Sequence, residues 1–145
     1  MIERKVILIV EDESDDLALI TRSLGEDNPA LSWVAAHNGL EALEYLDKVS
    51  VNNRNKHKPL PALILMDLSM PKMGGIALLP EIRKRENTRY IPVVVFTSSK
   101  NVQDVTSCYE AGASSYIRKP TDFASFRTAV QHLSKYWVLL NTTPY

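Results

Sequence analysis

Apolar residues recur along this chain in short unbroken runs, and each run stops at a polar residue. Val6-Ile7-Leu8-Ile9-Val10 is followed by Glu11-Asp12, and Leu63-Ile64-Leu65-Met66 by Asp67. Val93-Val94-Val95-Phe96 leads into Thr97-Ser98-Ser99, and Ser115-Tyr116-Ile117-Arg118 into Lys119-Pro120. Short continuous apolar runs suit strands buried on both faces of a parallel sheet. A charge at the end of such a strand lies where the sheet meets solvent, so these strands bring acids, a hydroxyl and an amine to one edge.

Between the runs the apolar period lengthens to that of a helix. Ser14 is placed to cap a first helix carrying Leu17, Ile20 and Leu24, which closes at Gly25 and the Asn28-Pro29 turn. Leu31 to Ala36 predicts a second strand, and Asn38 caps a second helix with Leu40, Leu43 and Leu46 inside. Residues 48–60 form a polar, basic insert (Arg54, Lys56, His57, Lys58) that ends at Pro59 and is read as a solvated loop. The third strand is predicted from Ala62 to Asp67. Gly74-Gly75 opens a third helix through Ile76, Leu79 and Ile82, in which Pro80 must fall in the first turn or bend the helix. A fourth strand from Ile91 to Thr97 precedes a fourth helix near Val102 to Glu110 that stops at Gly112. A fifth strand, Ser114 to Arg118, precedes a last helix from about Asp122 with Phe123, Phe126, Val130, Leu133 and Trp137 on one face.

Five uninterrupted βα units predict a doubly wound parallel sheet with helices on both faces, a flavodoxin-like three-layer α/β fold. The strand order expected for it is 2-1-3-4-5, with ligands bound outside the carboxyl ends where the first and third strands are neighbours. Glu11, Asp12 and Asp67 fall in that crevice.

At 145 residues the chain is read as a single domain, with a core at about 5–135 and a C-terminal extension at 136–145. Lys plus Arg equals Asp plus Glu, 17 against 17, so no overall basic field recruits nucleic acid or anionic lipid. The single cysteine, Cys108, excludes an internal disulfide and is read as a small, half-buried packing residue. The charges at Glu3, Arg4, Lys5, Glu11 and Asp12 leave no room for a signal peptide, and no apolar stretch is long enough to span a membrane. A cytoplasmic protein is expected.

Glu11, Asp12 and Asp67 at one edge repel one another and call for a cation. Mg²⁺ takes a carboxylate or a pair of them and fills its octahedron with water and substrate oxygens. Asp12 and Asp67 are the expected direct ligands, the backbone carbonyl of Ser69 a third, and Glu11 acts through a water. A plainer account, an acidic helix N-terminus that complements the macrodipole, covers Asp15 and Asp16 but not Asp67 and Lys119. Lys119 as a mere neutralising ion pair is set against Thr97, whose hydroxyl can donate to an anionic oxygen. A carboxylate nucleophile, a cation, a hydroxyl and an ammonium around one point stabilise a phosphoryl group in transfer and the acyl phosphate that results. Lys119-Pro120, just past a strand end, also invites a cis peptide.

Taken together, Glu11-Asp12, Asp67 with Pro71 and Gly75, Thr97-Ser98 and Lys119-Pro120 closely resemble the receiver domain of two-component response regulators, from about Lys5 to Leu133. The resemblance implies that Asp67 accepts a phosphoryl group from a sensor histidine kinase, that Asp12 and Asp67 hold Mg²⁺, and that Lys119 contacts the phosphate. It also implies that Thr97 and Tyr116 form a switch pair, the hydroxyl moving toward the phosphate as the ring turns inward. Glu11 stands where Asp is commoner, Gly74 where an acid often opens the third helix, and Ser69 and Ser99 at the positions that tune phosphate lifetime.

The chain ends soon after the fifth helix, so no DNA-binding or enzymatic output domain is expected. The insert and the tail resemble a subgroup of stand-alone receivers that serve phytochrome-type kinases, acting on a downstream protein that the residues do not identify. The tail, from Tyr136-Trp137-Val138-Leu139-Leu140 to Tyr145, leaves apolar surface over, which a homodimer would bury. An aspartyl-phosphate phosphatase of the haloacid dehalogenase type is the alternative, but it needs an acid two residues after the nucleophile, where this chain has Ser69. A flavodoxin-like carrier would have to cradle a phosphate against the acids from Glu11 to Asp16.

Overall fold

The computed structural model describes residues 5–51 and 59–145. Five strands, β1 (Val6–Val10), β2 (Ser32–Ala36), β3 (Leu63–Met66), β4 (Val93–Thr97) and β5 (Ser115–Arg118), form one parallel sheet in the order β2-β1-β3-β4-β5. Five helices connect and follow them: α1 (Ser14–Asp27), α2 (Gly39–Val51), α3 (Gly75–Lys84), α4 (Val102–Ala111) and α5 (Phe123–Ser134). A π-helical turn, Lys135–Leu140, continues directly from α5. The predicted topology and strand order are both found.

Alternate residues of each central strand feed opposite cores, the period of two that a strand imposes. Leu8, Val10, Ile64, Met66, Val93 and Val95 face α2, α3 and α4, packing on Leu46, Leu78, Leu79, Ile82 and Cys108. Ile7, Ile9, Leu63, Leu65, Val94 and Phe96 face α1 and α5, packing on Ile20, Leu24, Phe126, Val130 and Leu133. Burying one such side chain contributes about 1.5–3 kcal/mol. Since every residue of β3 and β4 is buried, polar side chains can appear only past the strand ends or at the last position.

Several elements begin or end elsewhere than the sequence predicts. Glu13, not Ser14, caps α1, its carboxylate accepting from the Asp15 N–H at 3.3 Å. The helix passes through Gly25 and closes when the Asn28 N–H meets the Leu24 carbonyl at 3.0 Å. Asn38 does cap α2, accepting from the Glu41 N–H at 2.9 Å, but α2 runs on to Val51, so the basic insert starts later than residue 48. Arg54, Lys56, His57 and Lys58, like Glu3 and Arg4, lie outside the described residues. Strands β2 to β5 start a residue or two late, because the chain enters each through turns and through Pro92, which lacks an N–H for the ladder.

Pro80 sits inside α3, past its first turn, on the exposed side. Cys108 is fully buried rather than half-buried, in the core beneath α4. Gly112 ends α4 with φ 110°, a left-handed cap that favours glycine. Phe123 is exposed because it is the first residue of α5, before the helix settles on the sheet.

The π-helical turn shifts the phase of the last segment. Its wider winding, closed by the Asn141 N–H on the Tyr136 carbonyl at 2.7 Å, makes Val138 the buried residue and leaves Trp137 half-buried, the reverse of the predicted stripe. Lys5 reaches the Val138 carbonyl at 2.6 Å. Nor does the tail project beyond the domain, as the sequence reading expects. It folds back, and the Tyr145 hydroxyl donates to the Pro61 carbonyl at 2.6 Å.

Candidate functional site

The carboxyl ends of β1, β3, β4 and β5 open onto one cavity of about 380 Å³. Glu11, Asp12, Asp67, Ser69, Thr97 and Lys119 all line it, joined by Asp16, Ser98 and Ser99. Backbone hydrogen bonds extend the ladder one step past each strand and fix these residues. Glu11 N–H donates to Ala36 at 2.9 Å, Asp67 N–H to Val10 at 3.0 Å and Lys119 N–H to Thr97 at 2.7 Å. The last of these keeps the chain extended at Lys119, and the Lys119-Pro120 peptide is trans, not cis.

Lys119 is the hub. Its ammonium donates to Glu11 Oε2 at 2.8 Å, Asp67 Oδ2 at 2.8 Å and Asp16 Oδ2 at 2.7 Å. Burial disfavours its charge, but Asp16, Asp67 and Glu11 outweigh that and raise its pKa. Burial acts on Asp67 in the upward direction. Lys119, the nearby Thr97 hydroxyl and the Leu68 N–H (2.6 Å from Oδ1) reverse it and hold the carboxyl below its ordinary range. Glu11, only 2% exposed, goes the other way. Burial, helped by the charge on Asp67, pushes its pKa up to about 7 despite Lys119. Two neighbouring carboxyls thus differ in character, Asp67 ionised and Glu11 near neutrality.

The predicted site residues therefore come together, with three refinements. Glu11 lines the cavity from a buried position, its carboxylate accepting from Lys119 at one oxygen and from the Glu13 N–H at the other. Asp16, assigned by the sequence reading to the helix dipole, reaches the site from the first turn of α1, and its position in the sequence carries no signal beyond that dipole role. Tyr116 does not line the cavity; it is half-buried beside it, its hydroxyl 3.4 Å from the Ser99 carbonyl.

The loop after β3 is shaped by residues that pattern alone does not mark. Lys72 and Met73 carry positive φ, 47° and 77°, while Gly74 is extended. Gly75 is required for a different reason: a Cβ there would lie 2.7 Å from the Asp67 carbonyl oxygen. The Gly39 N–H donates to the Met73 carbonyl at 3.1 Å and ties this loop to the start of α2.

A hard divalent cation fits the donors present. Among the described residues no three His, Cys, Asp or Glu side chains converge into a closed metal cage. Yet Asp12 is exposed at the cavity mouth beside Asp67 and Ser69, an oxygen-only set with more carboxylates than the one ammonium balances. An ion that keeps much of its water shell suits such a half-open set; Zn²⁺, which prefers nitrogen and sulfur, does not.

The family model for the response regulator receiver domain matches residues 7–131. Response regulator Rcp1 of Synechocystis sp. is 33% identical over 140 residues, which cover 97% of this chain and 93% of Rcp1. The crystal structure of the phosphorylated cyanobacterial phytochrome response regulator RcpA matches with a TM-score of 0.87 at 30% identity, over 98% of this chain and 99% of that one. The Mn²⁺-bound form of Rcp1 matches with a TM-score of 0.84 at 33% identity, over 97% and 99%. With sequence and fold agreeing from the first strand into the fifth helix, this chain belongs to the response regulator receiver domain family.

Proposed function

We propose that Asp67 accepts a phosphoryl group from the phosphohistidine of a sensor histidine kinase. One observation carries this reading. Asp67 is an ionised carboxylate at a cavity mouth, held by the Leu68 N–H at 2.6 Å and Lys119 at 2.8 Å. An Asp67 carboxylate oxygen attacks phosphorus, the phosphorus–nitrogen bond breaks, and the imidazole leaves with the electron pair. Lys119 and the Thr97 hydroxyl are placed to meet the phosphoryl oxygens. Mg²⁺, held by Asp12, Asp67 and the Ser69 carbonyl with Glu11 acting through water, would neutralise charge as it builds on the phosphoryl group. The protein catalyses only its own phosphorylation and dephosphorylation. Incubation with acetyl phosphate and Mg²⁺ should add one phosphoryl group to the wild type and none to Asp67→Asn by intact mass. Equal labelling of both would sink the assignment.

The wider role follows from the same reading: one receiver domain over 1–145, cytoplasmic, served by a phytochrome-type kinase as the named relatives suggest, and relaying to a downstream protein through Thr97 and Tyr116. A second copy of the chain is the proposed partner of Tyr136, Leu139 and Leu140, which are 50%, 58% and 75% exposed. Sedimentation with and without beryllofluoride tests it; a monomer at tens of micromolar (roughly the range for a weak interface) under both conditions would leave that patch for another protein. A haloacid dehalogenase-like phosphatase is disfavoured by the exposed Ser69, which offers no acid where that chemistry needs one.

A further inference from the structure

One ammonium here is shared by three carboxylates. An ammonium has three N–H groups and no lone pair, so the bonds from Lys119 to Glu11, Asp67 and Asp16 use every donor it has. Glu11 and Asp67 arrive from the ends of β1 and β3. Asp16 arrives from the first turn of α1, 103 residues from Lys119 in sequence. Its neighbour Asp15 is exposed and has no such bond. Helix-dipole compensation explains an acid on this turn, but not why one of the pair reaches a lysine whose side chain is 4% exposed.

If Lys119 is to touch a phosphoryl group, one of its three bonds must be given up. The bond to Asp67 is the one that chemistry releases, because forming the acyl phosphate removes the carboxylate charge and sets phosphoryl oxygens beside it. We propose that Asp16 is a positioning residue for phosphoryl transfer. With Glu11 it pins the Lys119 ammonium beside Asp67, so that a single hydrogen bond is exchanged when the phosphoryl group arrives. The inference rests on Asp67 being the acceptor. With an acyl phosphate as donor, an Asp67 oxygen bonds to phosphorus, the bond from phosphorus to the acyl oxygen breaks, and the carboxylate leaves with the pair. Nothing is oxidised or reduced. A long flexible lysine stem held at two points would explore more positions than one held at three, and transfer depends on placement to a fraction of an ångström.

The test is the rate of labelling by acetyl phosphate with Mg²⁺ in the full chain, followed by intact mass. Asp16→Ala should slow it about tenfold, the loss of one charge-assisted hydrogen bond. Asp16→Asn, which still accepts a hydrogen bond, should slow it less. In a Lys119→Ala background, Asp16→Ala should have no further effect, since no ammonium remains to be held. An equal fall without Lys119 would assign Asp16 to the fold and overturn the proposal, as would Asp16→Ala labelling at the wild-type rate or faster. Asp67→Asn separates the two readings. If it is labelled, the acceptor assignment fails and this inference with it; if it is inert while Asp16→Ala is fast, only the role of Asp16 fails.

Discussion

Tyr116 donates its hydroxyl to the carbonyl of Ser99 across 3.4 Å, joining β5 to the loop after β4. Ser99 gives its own hydroxyl to Asp104 in α4 at 2.5 Å, and its N–H to the Thr97 hydroxyl oxygen at 3.4 Å. With that oxygen accepting from Ser99, the Thr97 hydrogen is free to serve Asp67. A chain of contacts therefore runs from the candidate acceptor to the start of α4. Tyr116→Phe keeps the ring and removes the hydroxyl. Amide exchange across 98–104 should quicken by up to about tenfold, the loss of one hydrogen bond in a part-buried loop. Unchanged protection there would show that the loop holds itself.

Asp12 should control metal affinity. Asp12→Asn removes one of the exposed anionic oxygens at the cavity mouth, and Mg²⁺ binding by calorimetry should weaken at least tenfold, roughly one charged ligand contact. The metal-free protein should become slightly more stable, by less than about 1 kcal/mol because the group is exposed. An unchanged titration would move the metal elsewhere.

Glu11 gives the metal-free protein a pH dependence of definite sign. Its folded pKa is about 7, above the ordinary 4.5, so the folded state binds the proton more tightly than the unfolded state. That contribution is complete below the unfolded value and is lost as pH rises through about 7. Asp67 is shifted downward and Lys119 upward, so both titrate outside this window. Urea unfolding should therefore show wild-type stability falling between about pH 5 and pH 8 by an extra 1–3 kcal/mol relative to Glu11→Gln. Parallel curves for the two proteins would exclude the shift.

Gly75→Ala should be disruptive despite its conservative chemistry. The added methyl would stand 2.7 Å from the Asp67 backbone carbonyl, an atom fixed by β3 and unable to swing away. A loss of about 1–3 kcal/mol is expected, together with slower labelling at Asp67, because α3 and the acceptor would be pushed apart. Wild-type stability and rate in this variant would show that the loop has slack.

Most of the fold and of the site was legible because one device reports both. A fully buried strand cannot carry a charge inside, so Asp67 had to stand just past β3 and Thr97 at the last position of β4, while Lys119 follows the half-buried β5 to the same edge. Asp16 escaped because an acid in a helix's first turn already has a sufficient local reason, and only the tertiary contact to Lys119 reveals another. The backbone of Lys72 and Met73 escaped because neither residue type advertises a positive φ. The final stripe failed at Trp137 and Val138 because a helical wheel assumes a constant residue count per turn.

That last failure bears on any mutational scan of the C-terminal surface. A π turn behaves as an α-helix with one residue inserted, so every side chain beyond it is rotated by about 100° from where continuous numbering would put it. Substitutions chosen from an uninterrupted wheel would probe Val138 as surface and Trp137 as core, and would read lost packing as lost association. Within 135–140 the wheel must be redrawn: Val138 reports on stability, while Tyr136, Leu139 and Leu140 report on whatever the outside of the molecule meets.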